Sequence, residues 1–231
     1  MSTQDPNIAL LEATAIHLTP LLDQVVFVGG SIVGLLVTDP AALPVRATKD
    51  VDIVAEIAGP SAYYLLGEKL AGLGFGPDPT PGTPACRWRM GELLLDVMST
   101  DENSLGFTNR WYAEGLRTAV WLELPGGTRI RTITAPMFLL TKWEAFLGRG
   151  KGDYLESHDI EDFIAVVDGR QSIDVEVQLL PSLSREALAL AVTTMLADDT
   201  FRRLALPGLL GSHGGDDARF RIVEGRLKDL S

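Results

Sequence analysis

Two aspartates separated by one residue, Asp50 and Asp52, stand in the β-branched run "DVDIVAEI". In an extended strand residues i and i+2 point to the same side, so the two carboxylates project together while Val51 and Ile53 turn to a core. Like charges that close repel, and a divalent cation between them is the natural remedy. Asp96 repeats the theme inside the apolar run "ELLLDVM", where burying a carboxylate is costly unless it has a partner or a metal. With that strand beside the first, Asp50, Asp52 and Asp96 would hold two Mg²⁺ ions roughly 3.5–4 Å apart, the arrangement that serves phosphoryl transfer. Gly29, Gly30 and Ser31 follow the run "VVFV". Glycines permit close backbone approach, and N–H groups at the start of a helix suit a phosphate. These parts together describe transfer of a nucleoside monophosphate to a hydroxyl with loss of pyrophosphate. Taken singly, each has an ordinary reading: a tight turn, a solvated strand end.

The elements that must position these residues are legible in the hydrophobic pattern. Residues 6–19 place Ile8, Leu11, Ala15 and Leu18 at helical spacing, and Pro20 ends or kinks that helix. A strand through Val25–Val28 stops at the two glycines, and Ile32–Val37 turns into a helix with Ser31 at its start. Thr38–Thr48, with Pro40 and Pro44, reads as a loop, and "DVDIVAEI" as the second strand. Pro60–Leu73 reads as a helix, and the proline-rich "FGPDPTPGTPA" as a loop suited to a hinge or lid. "CRWRM" and "ELLLDVM" form a hairpin around Gly91, and "TAVWLEL" and "TRIRTI" a second one. Arg87 and Arg89 share one strand face, where they hold a triphosphate or a carboxylate, or face solvent. From Thr134 the pattern becomes helical. "TAPMFLLTKWEAFLG" is capped by Thr134, "SHDIEDFIAVVDG" by Ser157, and a helix over Ser184–Ala197 by Ser184. "LGSHGGDDA" reads as a flexible loop, followed by a terminal helix over Ala218–Leu230. The fold class expected is α+β: a mixed sheet with flanking helices over residues 1–133, then a mainly helical domain over 134–231.

Composition excludes several classes. The hydrophobic share of 46% with 22% charged residues is that of a folded globular protein. The most apolar stretch, Val25–Val37, is broken by glycines and falls short of the roughly 20 residues a membrane span requires. Residues 1–6 lack the basic and apolar regions of a signal peptide, so a cytoplasmic location is expected. The one cysteine, Cys86, has no disulfide partner within the chain and reads as a small core residue, and three scattered histidines, His17, His158 and His213, form no zinc pattern. A net charge of −11 argues against broad nucleic-acid binding, which rests on Lys and Arg neutralising phosphates.

The order Gly30-Ser31, Asp50-Val51-Asp52, Asp96, then Lys142, Arg149 and Asp159 in "KWEAFLGRGKGDYLESHDIEDF" resembles the nucleotidyltransferases of the DNA polymerase β superfamily, and within them the AbiEii-like toxins and their bacterial relatives. The resemblance covers roughly residues 25–168. It implies a minimal nucleotidyltransferase mixed sheet with a C-terminal helical part, an NTP as donor and often an RNA or tRNA end as acceptor, whereas the acidic charge favours a small-molecule or protein acceptor, with Mg²⁺ as the cofactor that the carboxylates call for. An antitoxin partner is implied for members that are toxins. It also implies that Lys142 contacts the nucleotide phosphates, that Arg149 joins it, and that Asp159 belongs to the site. Read without the resemblance, Lys142, Ala145 and Arg149 share a helix stripe that faces a nucleotide or water, and Asp159 is a first-turn carboxylate favoured by the helix dipole. Ile32–Lys49 is longer than the roughly ten residues the family usually places there. A second class of function keeps the fold without turnover, as a nucleotide-binding or partner-binding protein.

Overall fold

The computed structural model describes residues 5–150, 152–211 and 218–231. Lys151, His213 and most of the segment read as a flexible loop lie outside the described residues. The chain forms two compact units, one of residues 5–32 with Arg46–Thr134, the other of Val33–Val45 with Ala135–Ser231.

The first unit is built on a seven-stranded mixed sheet. Its strands are β1 (Val25–Val28), β2 (Asp50–Ala55), β3 (Gly76–Pro77), β4 (Arg87–Met90), β5 (Leu93–Ser99), β6 (Val120–Glu123) and β7 (Arg129–Thr132), in the spatial order β3-β4-β5-β2-β1-β7-β6. All four side chains of β1 are buried, as a β-branched and aromatic run in the middle of a sheet should be. Along β2, Val51 and Ile53 are buried while Asp50 and Asp52 are half-buried, the alternation expected of a strand with one polar face at its start. β2 runs parallel to β5 with Asp52 directly beside Asp96, and antiparallel to β1 with Val28 beside Asp52. β4 and β5 form the expected hairpin, with Gly91 at φ +57° supplying the positive φ that its two-residue loop demands. Counting back equally from that loop brings Arg87 opposite Asp96.

Helix α1 (Ile8–His17) precedes β1, and the chain then passes Pro20 in a short 3-10 turn, Thr19–Leu21. In the structure α2 (Val33–Leu36) is only four residues long and follows a second 3-10 turn, Gly30–Ile32. The helix expected over Ile32–Val37 is therefore shorter, with Ser31 inside the turn that precedes it. Helix α3 (Pro60–Gly72) makes the crossover from β2 towards β5 and packs on the apolar sheet face. A methyl group on its Gly67 would stand 2.9 Å from the Trp88 ring, and Tyr63 Oη donates to the Val97 carbonyl at 3.2 Å. Two short helices, α4 (Glu102–Leu105) and α5 (Tyr112–Arg117), connect β5 to β6. The first is capped by Asp101, which accepts from the Asn103 amide, and ends at Gly106 with φ +79°.

The second unit is helical. Helix α6 (Ala135–Gly148) is buried along its first nine residues, in keeping with a segment that is apolar almost all round. It packs against α7 (His158–Gly169), whose N-cap Ser157 accepts from the Ile160 amide as expected. Four rings packed at a tilt, Trp143, Phe146, Tyr154 and Phe201, join α6 to the segments beyond it, with successive centroids 4.7–5.3 Å apart. Helices α8 (Ile173–Gln178), α9 (Ser182–Ala197), α10 (Leu206–Leu209) and α11 (Ala218–Asp229) complete it. α9 begins at Ser182, with Pro181 at the N-cap position; Ser184, expected as the cap, is buried inside the helix. Proline's fixed φ makes it a helix boundary on its own, which overrides the capping preference of the serine three residues on.

Residues 33–45 belong to this unit. Their amides at Thr38 and Asp39 donate to the Gly169 carbonyl at 2.8 and 2.9 Å, Arg170 donates to the Leu36 carbonyl at 2.7 Å, and Arg219 of α11 to the Ala41 carbonyl at 2.8 Å. Asp168, almost fully buried, receives the Arg219 guanidinium at 2.7–3.1 Å and the Leu43 amide at 3.5 Å. A side chain at Gly169 would strike Val37, so glycine is what lets the loop approach the helix end. Most of the long connection between the Gly-Ser and the Asp-x-Asp, residues 33–45, is thus part of the helical unit.

Candidate functional site

Within the sheet unit, Arg87, Asp96 and Asp52 lie in one row across β4, β5 and β2, and Asp50 stands two residues before Asp52 on the same face. Residues paired across a sheet share a face, so the three carboxylates gather on one side as their spacing implies. β1 ends beside them. Gly29 takes φ +70°, and a Cβ built on it would lie 1.9 Å from Asp52 Oδ2. The carboxylate therefore rests directly on the glycine backbone, a place no other residue can take without displacing it.

Arg87 is the cation of this group. Its Nη2 donates to Asp50 Oδ2 at 2.5 Å and to Asp96 Oδ2 at 2.8 Å, and its Nε donates to Asp96 Oδ1 at 2.7 Å. The fork on Asp96 is the bidentate geometry that guanidinium and carboxylate share. The Asp96 side chain is only 8% exposed, and Arg87 meets the demand that a carboxylate in an apolar strand makes for a partner. Of the readings open for Arg87, the carboxylate one is realised in this structure, while Arg89 is exposed. Hydrogen bonding to Asp96 raises the Arg87 pKa further, so its charge is permanent. Burial, and the nearby charges of Asp96 and Asp52, push the neighbouring Cys86 thiol up to about 12, so this core cysteine is a poor nucleophile.

The chemistry of the donor set fits a divalent cation: hard carboxylate oxygens from two adjacent strands, already bound to a cation in the form of a guanidinium. As the side chains stand, no three acidic, histidine or cysteine residues among those described form a metal-holding group. Arg87 occupies the oxygens of Asp50 and Asp96. Ser31 is fully buried, and its hydroxyl has no hydrogen-bond partner among the described residues. An orphaned hydroxyl costs about 1–3 kcal/mol, and it lies two residues beyond the glycine that touches Asp52. With only a four-residue helix behind it, any anion there would be held by the N–H groups of the Gly30–Ile32 turn rather than by a helix dipole.

The helical unit holds the other expected residues. Lys142 is buried in α6, and its Nζ lies 3.1 Å from Asp159 Oδ1 and 2.7 Å from Asp162 Oδ2, with the Phe138 ring centroid at 5.5 Å. Arg149 forks onto Asp159 at 2.8 and 3.0 Å from a largely exposed position. Burial alone would raise the Asp159 pKa. The Arg149 hydrogen bond and the charges of Lys142 and Arg149 outweigh it and hold the carboxyl below its ordinary value. Asp159 is thus more than an exposed first-turn carboxylate, and Lys142, Arg149 and Asp159 come together as a group. Asp162 completes that group and was not singled out from the sequence. Its signal was the i, i+3 spacing from Asp159, which places both carboxylates on the helix face turned to Lys142.

A cavity of about 600 Å³ also opens in the sheet unit, lined among others by Asp23, Glu56, Thr100 and Arg131. Asp23, Glu56 and Thr100 lie at the strand ends opposite those that carry Gly29 and Asp50, Arg131 lies within β7, and none belongs to the carboxylate group. No described helix is long and apolar enough to cross a membrane.

No protein-family model matches the chain, and no curated protein matches it. Among solved structures it is similar to an antigenic nucleotidyltransferase-like protein from Paracoccidioides brasiliensis, at 18% identity and a TM-score of 0.46, over 94% of this chain and 98% of that one.

Proposed function

We propose that the chain is a Mg²⁺-dependent nucleotidyltransferase that moves a nucleoside monophosphate from an NTP to a hydroxyl acceptor. The observation that carries this reading is the pairing of Asp52 with Asp96 across parallel strands, with Asp50 on the same face and the Gly29 backbone pressed against Asp52. Nothing in the folding of the sheet calls for three carboxylates there; Val or Ile would make better strand positions. Asp50, Asp52 and Asp96 would hold the metal, which supplies charge stabilisation for phosphoryl transfer and polarises the acceptor oxygen. The turn amides and the Ser31 hydroxyl would bind phosphate oxygens, and Gly29 would let the nucleotide approach the backbone. Arg87, next to the carboxylates, is the chain's own cation for a phosphate tail.

A second reading, binding of a nucleotide without turnover, is favoured by one observation, the engagement of Asp50 and Asp96 by Arg87. One experiment separates the two. The protein is incubated with each α-labelled NTP and Mg²⁺ in the presence of RNA, tRNA and protein acceptors. Transfer of label with release of pyrophosphate is expected, and it should vanish on chelation of the metal. Nucleotide binding with no transfer to any acceptor selects the second reading, and absence of binding overturns both.

A further inference from the structure

We propose that Arg87 is an exchangeable counter-cation, which holds Asp96 and Asp50 while the site is empty and gives them up when a divalent cation and nucleotide phosphates arrive together. The inference rests on the nucleotidyl-transfer reading of this site and concerns how the site is loaded. Three bonds of 2.5–2.8 Å tie one guanidinium to two carboxylates that the reading assigns to metal. A divalent cation set among the same oxygens would stand directly against the guanidinium, and two cations that close repel. A guanidinium does not lose its proton in a protein, so it cannot vacate the carboxylates by titration and must move.

Such a move is short and open. The Arg87 side chain is 19% exposed, and the Asp50 side chain it bridges is 30% exposed, so the fork lies at the edge of the sheet face and not sealed within a core. Its backbone stays fixed in β4, where neighbouring Trp88 is buried on the other face against α3. A guanidinium released from Asp96 therefore remains one strand away. Phosphate oxygens offer it the same bidentate geometry that the carboxylate did. Metal alone must compete against charge-assisted hydrogen bonds, while metal with nucleotide gives the displaced arginine a new anion. Binding of the two is then positively coupled, and the coupling is reciprocal. The metal-free carboxylates are meanwhile kept neutralised, which the nearly buried Asp96 requires.

The test measures Mn²⁺ binding by calorimetry to the full chain, with and without a non-hydrolysable NTP analogue. Wild type should bind Mn²⁺ alone weakly and tighten by about tenfold to a hundredfold when the analogue is present, the range that charge-assisted hydrogen bonds support. Arg87→Gln should bind Mn²⁺ alone more tightly than wild type by a similar factor and lose most of the coupling. Its metal-free melting temperature should fall and be restored by Mn²⁺, a response that a merely structural arginine would not give. Arg87→Lys, which keeps the charge but cannot fork, should fall between the two and serves if the glutamine variant does not fold. Equal Mn²⁺ affinity in wild type and either variant, or no effect of the analogue on wild type, overturns the exchange and leaves a fixed clamp. Absence of Mn²⁺ binding in every form, with the analogue present, overturns the metal reading itself and the exchange with it.

Discussion

The Asp52 carboxylate fills the space that a side chain at Gly29 would need, and each of the two residues carries a prediction. Alanine at position 29 would have to adopt φ +70° and place its methyl group where the Asp52 carboxylate now lies. Gly29→Ala should lower stability by more than about 1 kcal/mol, read from urea denaturation, because both the backbone and the space are wrong for it. Asp52→Asn keeps the shape and removes the charge. Nucleotide transfer should drop by about a hundredfold or more, while stability stays within about 1 kcal/mol of wild type. Retained transfer would remove Asp52 from the mechanism; unfolding would make the carboxylate a structural requirement. The three aspartates were legible because a period of two and a break in an apolar run are properties of the sequence itself. The bond from Arg87 to Asp96 was within reach too, since the hairpin around Gly91 fixes its register, but choosing between carboxylate and phosphate needed the distances.

At the scale of elements, the pairing of α6 with α7 depends on a charge cluster buried between them. Lys142 stands between Asp159 and Asp162 with all three side chains no more than 7% exposed. Lys142→Met should destabilise the protein by about 3 kcal/mol, since it leaves two carboxylates in the interior without their shared cation. The same cluster sets a pH dependence. The folded Asp159 pKa lies below its unfolded value of 3.8, so its contribution to stability is present above that value and is lost as pH falls through the folded one. Acid unfolding curves below about pH 4 should therefore flatten in Asp159→Asn. A wild-type slope in the variant would show that other groups set the acid limb. Helix α7 was readable from Ser157 and its apolar spacing, and both hairpins from their glycine turns. The short helices α4, α5, α8 and α10 were not, because four to six residues carry too little periodicity to register. Ser184 was misplaced as a cap because a buried serine inside a helix and a capping serine look alike until the proline before them is weighed.

The largest scale is that of the two units and the chain that builds them. The change to a helical pattern at Thr134 was visible in composition, whereas the allegiance of residues 33–45 was not. Nothing local in a proline-bearing loop says that it will bond to a helix end more than a hundred residues away. Arg219 is one of the ties, bonding both Asp168 and the Ala41 carbonyl. Arg219→Ala should speed hydrogen exchange at the Thr38 and Asp39 amides by at least about tenfold, while amides in β2 and β5 keep their protection. Uniform acceleration across both units would mean that the loop is not a separate cooperative element.

The same allegiance has a consequence for synthesis. A ribosome delivers Leu43 well before Asp168, which follows it by 125 residues. At roughly 5–20 residues per second, that interval is on the order of 6–25 s. During it β2 to β7 emerge in turn, and until α7 follows them the apolar Val33, Leu35 and Leu36 lack the helix on which α2 packs. The nascent chain therefore passes through a stage in which a short greasy segment is held out between two completed strands. That segment is where a chaperone would be expected to bind first.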